Sequence, residues 1–202
     1  MKELFKRFFD HDISRRDFSK KLLAIGFSQV AVNSLITSVA EARDVIPREG
    51  KTIVGNGADI LAASLRAANV EYIFGTSATG MSPFFDALTL NNDMQYIASI
   101  AESQATSMAH GYELATGKTS ILFLPGVAIP SAMNNLYNAW KDRSSIAVLS
   151  DGSSSNFAGR NGFQQMDDWL DTMTQFTKWR WQVDNPLQIS EMLRRTIKLS
   201  ET

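Results

Sequence analysis

The sequence contains no cysteine. Disulfides, a thiolate nucleophile and a thiolate zinc site are thereby excluded, while the compartment stays open, because an exported protein can also lack the residue. Histidine is scarce: only His11 and His110 occur in 202 residues, so neither a His-based metal site nor a Ser-His-Asp triad is expected. No charge of one sign dominates. Twenty Lys and Arg against 21 Asp and Glu leave a net charge of −1, with no basic field for nucleic acid and no acidic tail. The chain also lacks a Gly-x-x-x-x-Gly-Lys loop for a nucleoside triphosphate, an internal repeat and a low-complexity tract.

What remains is an ordinary globular composition, 44% apolar and 20% charged, with room for one domain and a tail. The tail is the first 42 residues. Ser14-Arg15-Arg16-Asp17-Phe18-Ser19-Lys20 resembles the twin-arginine export motif, and a moderately apolar run from Leu22 to Ala40 follows it, ending in the small-x-small pattern Ala40-Glu41-Ala42. Gly26, Ser28, Gln29, Asn33 and Ser34 interrupt that run, which makes it a poor membrane span and an acceptable weak leader. The leader carries a net charge of +2 and the remainder −3. The expectation is a signal peptide over 1–42, cleaved after Ala42, a linker over 43–50 and a domain over 51–202, with a periplasmic location. The alternative is an amphipathic surface helix with a chance Arg-Arg pair.

Beyond the linker, strand and helix patterns alternate. Helical spacing runs from Gly57 to Ala68, with Asn69 as its stop. Short apolar strands are expected at Val70 to Phe74, Gln95 to Ile100, Ser120 to Leu124 and Ile146 to Ser150, and helices from Pro83 to about Leu90, Glu102 to Thr116 and Ser131 to Trp140. Asp151 to Asn161 reads as a loop, Gln164 to Phe176 as a helical or irregular lid, Trp179 to Val183 as a strand, and Asn185-Pro186 as the start of a final helix. The pattern predicts an α/β fold: a doubly wound, mostly parallel sheet of about five to six strands with helices on both faces.

One acid stands at a telling place. The apolar run Tyr96-Ile97-Ala98-Ser99-Ile100-Ala101 reads as a buried strand end and hands over to a helix at Glu102, where sites of open α/β sheets form. Taken alone, Glu102 is also explained as a first-turn acid that complements the helix macrodipole. His110, eight residues on, reads as a structural or surface residue, as Gly111, Tyr112, Trp169, Trp179 and Trp181 read as packing residues.

The flanking residues favour a functional Glu102. Glu102, Gly111-Tyr112 and Ala115-Thr116-Gly117-Lys118 fall at the spacing of the catalytic-glutamate segment of thiamine diphosphate enzymes, the family of acetolactate synthase and benzoylformate decarboxylase. Phe74-Gly75, with Pro83 and Asp86-Ala87-Leu88 after it, is similar to that family's Phe-Gly-x-Pro-Gly turn and following helix. Asn138-Ala139-Trp140-Lys141-Asp142, Phe163-Gln164-Gln165 and Phe176-Thr177-Lys178-Trp179 resemble three further pieces in the family's order. The resemblance covers roughly Ile53 to Leu199 and implies the pyrimidine-binding domain.

It implies thiamine diphosphate as cofactor and Glu102 as the acid that shares a proton with the aminopyrimidine, a task suited to a carboxyl group in apolar surroundings. Gly75, Ser77, Ala78 and Gly80, with Pro125, Gly126 and Ser131, would approach the cofactor. The chemistry implied is addition to a 2-oxo acid, loss of carbon dioxide, and release or ligation of the aldehyde unit. Three departures bear on the substrate: Ser77-Ala78 replaces Pro-Gly, Ala101 stands where many relatives carry His, and Ser131 takes the place of an Asn. The Gly-Asp-Gly and paired asparagines that hold the diphosphate through magnesium have no match, since Asn134-Asn135 precedes Asp151-Gly152. No metal ligand is therefore expected here. A partner domain or subunit bearing those residues, in a homo- or hetero-oligomer, is expected, with the export machinery as a second partner. The family's closing Gly-Pro-Val strand is also unmatched. The alternatives are a non-catalytic binding or assembly module, and a remnant of a larger enzyme whose open sheet edge would make it poorly soluble.

Overall fold

Four short apolar segments pair side by side in the computed structural model, which describes residues 4, 8, 13–35, 52–90, 93–152, 156, 159, 160, 162 and 168–202. They are β1 (Tyr72–Gly75), β2 (Gln95–Ala98), β3 (Ser120–Leu124) and β4 (Ile146–Ser150), all parallel, in the spatial order β2-β1-β3-β4. Strands consecutive in sequence are joined through a helix, as parallel strands require. Among the described residues from 53 onward the α-helices are α1 (Gly57–Ala67), α2 (Ser82–Thr89), α3 (Glu102–Thr116), α4 (Ile129–Asp142), a single turn α5 (Trp169–Thr172) and α6 (Ile189–Glu201).

Residues alternate across the sheet, and so two cores form. Ile73, Ile121, Phe123 and Ala147 point to one face, where Ala62 and Leu65 of α1, Phe84 and Ala87 of α2 and Leu193 of α6 cover them. Phe74, Leu122 and Leu124 point to the other, against Ala105 and Ala109 of α3 and Ala132 and Leu136 of α4. Helices on both faces make the sheet doubly wound. β3 lies between β1 and β4 and is buried along its whole length. β2 is an edge strand, half-exposed rather than the buried strand end expected of it.

The expected bounds of β3, β4 and α3 coincide with those observed, the flanking strands β1 and β2 and helices α1, α2, α4 and α6 shift by one to three residues, and of the expected helical or irregular lid at Gln164 to Phe176 only the turn Trp169–Thr172 is helical among the described residues. Asn69 stops α1 in the left-handed conformation, φ 56°. The expected strand at Trp179 to Val183 is a correction: the segment joins no ladder, so the described sheet has four strands rather than five or six. The Trp179 and Trp181 rings stack at 6.2 Å, and the Arg195 guanidinium of α6 lies 5.2 Å from the Trp179 ring centre. The alternation Trp-Arg-Trp is thus satisfied by side-chain stacking without main-chain pairing.

Residues 1–52 form a separate compact unit. Its helix Arg15–Ala24 begins in the expected export motif: the Ser14 hydroxyl caps it by accepting from the Asp17 N–H at 3.1 Å. Phe18 and Leu22 on that helix are fully buried with Phe8 and Val32. No helix among the described residues is long and apolar enough to cross a membrane. The Ala40-Glu41-Ala42 pattern, the linker at 43–50, His11 and Phe163-Gln164-Gln165 lie outside the described residues.

The start of α1 carries a full capping box, with Asn56 Oδ1 accepting from Ala58 and Asp59 N–H groups while Asp59 Oδ2 accepts from the Asn56 N–H at 2.8 Å. Asn56→Ala is expected to cost about 1 kcal/mol and lower the thermal midpoint by roughly 2–4 °C, measured by circular dichroism at 222 nm.

Candidate functional site

Because all four strands run the same way, the segments that leave their carboxyl ends share one edge of the sheet. These are Thr76 to Met81 after β1, Ser99 to Ala101 after β2, Pro125 to Ala128 after β3, and Asp151 after β4. The strand order reverses direction between β1 and β3, which places a crevice outside their ends, the usual ligand position in such sheets.

Glu102 opens α3 and is half-buried. Its position is fixed from two sides. The Thr106 hydroxyl, fully buried one turn on, donates to the Glu102 carbonyl at 2.8 Å and ties down the first turn. The buried Thr76 hydroxyl, from the loop after β1, donates to Glu102 Oε1 at 3.1 Å. Oε2 has no hydrogen-bond partner among the described residues. A carboxyl group held by one oxygen, with the other unused, is equipped to share a proton with an incoming ring nitrogen.

Thr76 is held in turn. The Tyr96 hydroxyl of β2 donates to the Thr76 carbonyl at 2.5 Å and lies 3.3 Å from the Phe123 carbonyl of β3. Burial pushes the Tyr96 phenol well above its ordinary value, so it remains a protonated donor. Gly75 makes this possible. A side chain there would strike both the Phe123 carbonyl and the Tyr96 hydroxyl, so the glycine is required by β1, β2 and β3 converging on it.

The other expected residues fall in different places. Gly80 and Gly126 are brought together by Asp151, whose Oδ1 accepts from the Gly126 N–H at 2.9 Å and whose Oδ2 lies directly against Gly80. Ala78 packs on the α1–α2 core, and Pro125 is buried. Ser77 and Ser131 are exposed, and no hydrogen bond links either side chain to Glu102. His110 lies along α3 with Nε2 3.1 Å from Asp142 Oδ2. Among the described residues, no three His, Cys, Asp or Glu side chains gather as a metal site would need. Thr76 lies within the turn Gly75 to Gly80 that the resemblance brings near the cofactor, but no role for it was legible; Tyr96 and Asp151 were not singled out, and the only available signal was their place near the ends of expected strands.

A doubly wound parallel sheet with two acidic side chains, Glu102 and Asp151, at its carboxyl edge defines an α/β cofactor-binding domain. The model of the thiamine pyrophosphate enzyme N-terminal TPP binding domain matches residues 55–172, more than half the chain. The chain belongs to that family. It is 29% identical over 150 residues to a probable acetolactate synthase large subunit of Methanococcus aeolicus, which covers 73% of this chain and 24% of that protein. It is 30% identical over 113 residues to the acetolactate synthase large subunit of Haemophilus influenzae, 55% of this chain and 20% of that one. Its fold matches the thiamine diphosphate-dependent 4-hydroxybenzoylformate decarboxylase of Rhodococcus jostii RHA1 with a TM-score of 0.68 at 21% identity, over 73% of this chain and 28% of that one. The chain therefore spans about a quarter of the length of such relatives.

The crowding at Gly75 yields a measurable outcome. Gly75→Ala is expected to destabilise the domain by about 1–3 kcal/mol through overpacking. Adding Tyr96→Phe should recover less than half of that in urea unfolding, because the Phe123 carbonyl still opposes the new methyl group.

Proposed function

We propose that this chain supplies the pyrimidine-binding half of a thiamine diphosphate-dependent 2-oxo acid decarboxylase or carboligase, with Glu102 as the activating acid. The observation that carries the reading is the state of the Glu102 carboxyl group at the carboxyl edge of the sheet: one oxygen oriented by Thr76, the other without a partner among the described residues. The residues present fit the heterocycle of the cofactor. When bound, thiamine diphosphate supplies the carbon nucleophile and electron sink for a 2-oxo acid. With the cofactor bound, Glu102 would share a proton with the aminopyrimidine ring, and the Thr76 hydroxyl would keep Oε1 in place. The diphosphate and its magnesium belong to a partner domain or subunit bearing the Gly-Asp-Gly residues, so turnover requires the assembled pair.

The reading extends to location. Ser14 to Lys20 and the apolar run after them support export to the periplasm by the twin-arginine route, which carries proteins already folded and suits a domain that acquires a cofactor in the cytoplasm.

Two experiments test this. The purified chain with thiamine diphosphate and magnesium should not decarboxylate a 2-oxo acid, whereas the pair reconstituted with a Gly-Asp-Gly-bearing subunit should. In that pair Glu102→Gln should lower the rate by about 10²–10⁴-fold; activity that survives the change would make the chain a non-catalytic binding module. Separately, replacing Arg15 and Arg16 together by lysine should retain the chain in the cytoplasmic fraction, and undiminished periplasmic recovery would refute the export assignment.

A further inference from the structure

We propose that Asp151 is a positioning residue, a carboxylate clamp that sets the gap between the two loops flanking the switch-point crevice and so governs how the pyrimidine meets Glu102. This rests on the function proposed above.

Three contacts converge on Asp151. Its Oδ1 accepts from the Gly126 N–H at 2.9 Å, at the start of the turn Gly126–Ala128 that leads into α4. Its Oδ2 occupies the space a side chain at Gly80 would need, in the turn Thr79–Met81 after β1. Its carbonyl lies 2.8 Å from where a Gly126 side chain would begin. Two loops that follow different strands thus each present a glycine to the same acid. The base of the clamp is fixed as well, since the Ser150 hydroxyl donates to the Leu124 carbonyl at 2.9 Å and holds the ends of β3 and β4 together.

The chemistry suits a clamp. Among the described residues no Lys or Arg pairs with Asp151, so the Gly126 N–H is its identified donor, and a hydrogen bond to an ionised acceptor is stronger and shorter than a neutral one. The amide at the entry to α4 is therefore satisfied from within the chain. An incoming anion would have to displace Asp151 to use it, whereas an aminopyrimidine, which offers no negative charge, would not. The loop after β1 that rests on this carboxylate also carries Thr76, the donor to Glu102. Loosening the clamp should reach Glu102 by that route.

The test uses the full chain, with amide hydrogen exchange at Gly126 and thiamine titration followed by ¹⁵N–¹H spectra. Asp151→Ala should speed Gly126 exchange at least tenfold and weaken thiamine binding at least fivefold. Asp151→Asn, whose amide oxygen can still accept from Gly126, should keep both within threefold. A fold defect is separated by Gly80→Ala, which keeps the carboxylate but pushes it away: it should reproduce the loss of affinity, and Asp151→Ala added to it should weaken binding less than twofold further. The clamp is overturned if Asp151→Ala leaves both readouts unchanged, or if the two substitutions act additively. A wild-type chain that binds no thiamine overturns the pyrimidine-binding reading instead, while the exchange measurement still judges the clamp.

Discussion

At the carboxyl end of β1 there is no room for a side chain. Gly75 is hemmed in by the Phe123 carbonyl of β3 and the Tyr96 hydroxyl of β2, and that crowding lets one phenol reach across three strands. From it follows an ordered series of contacts: Tyr96 holds the Thr76 carbonyl, and the Thr76 hydroxyl holds Glu102. Thr76 and Glu102 leave different strands, so their alignment depends on the register of β1 with β2, in which Gly75 faces Ala98. A one-residue slip would turn every side chain to the opposite face and break the series.

The fold was legible where local signals agreed. β3 carries the apolar run Ile121 to Leu124, which Pro125 closes, and Gly117 ends α3 with φ 67°, as a helix C-terminus favours. β2 ends two residues earlier than its apolar run because the Ser99 hydroxyl bonds Ala101, donating to its carbonyl at 3.1 Å and bending the chain toward α3. Trp179 to Val183 has the alternation of a half-buried strand, but its two indoles find partners in each other and in Arg195, and hydrophobic alternation does not distinguish those outcomes.

The site was legible in part for the same reason. Glu102 sits at a junction that strand and helix patterns both mark. Thr76, Tyr96 and Asp151 act through contacts between residues 20 to 26 positions apart, which periodicity does not encode. Gly80 and Gly126 could be named from the family pattern, yet the acid that their missing side chains accommodate stood in what read as a plain loop.

The position of Glu102 relative to the sheet bears on how a complete site would be assembled. It follows β2, an edge strand, and Ile100 just before it is 94% exposed. The flank toward β1 is built from this chain, by Thr76 and the loop behind it, whereas the flank beyond β2 has no further strand among the described residues. Proton sharing between a carboxyl group and a heterocycle gains strength as water is removed, because the local dielectric falls. A half-buried acid at a sheet margin therefore works best when a second surface closes over it. On the proposed function, that second surface would be the partner that holds the phosphates, and the exclusion of water would come from the union of the two.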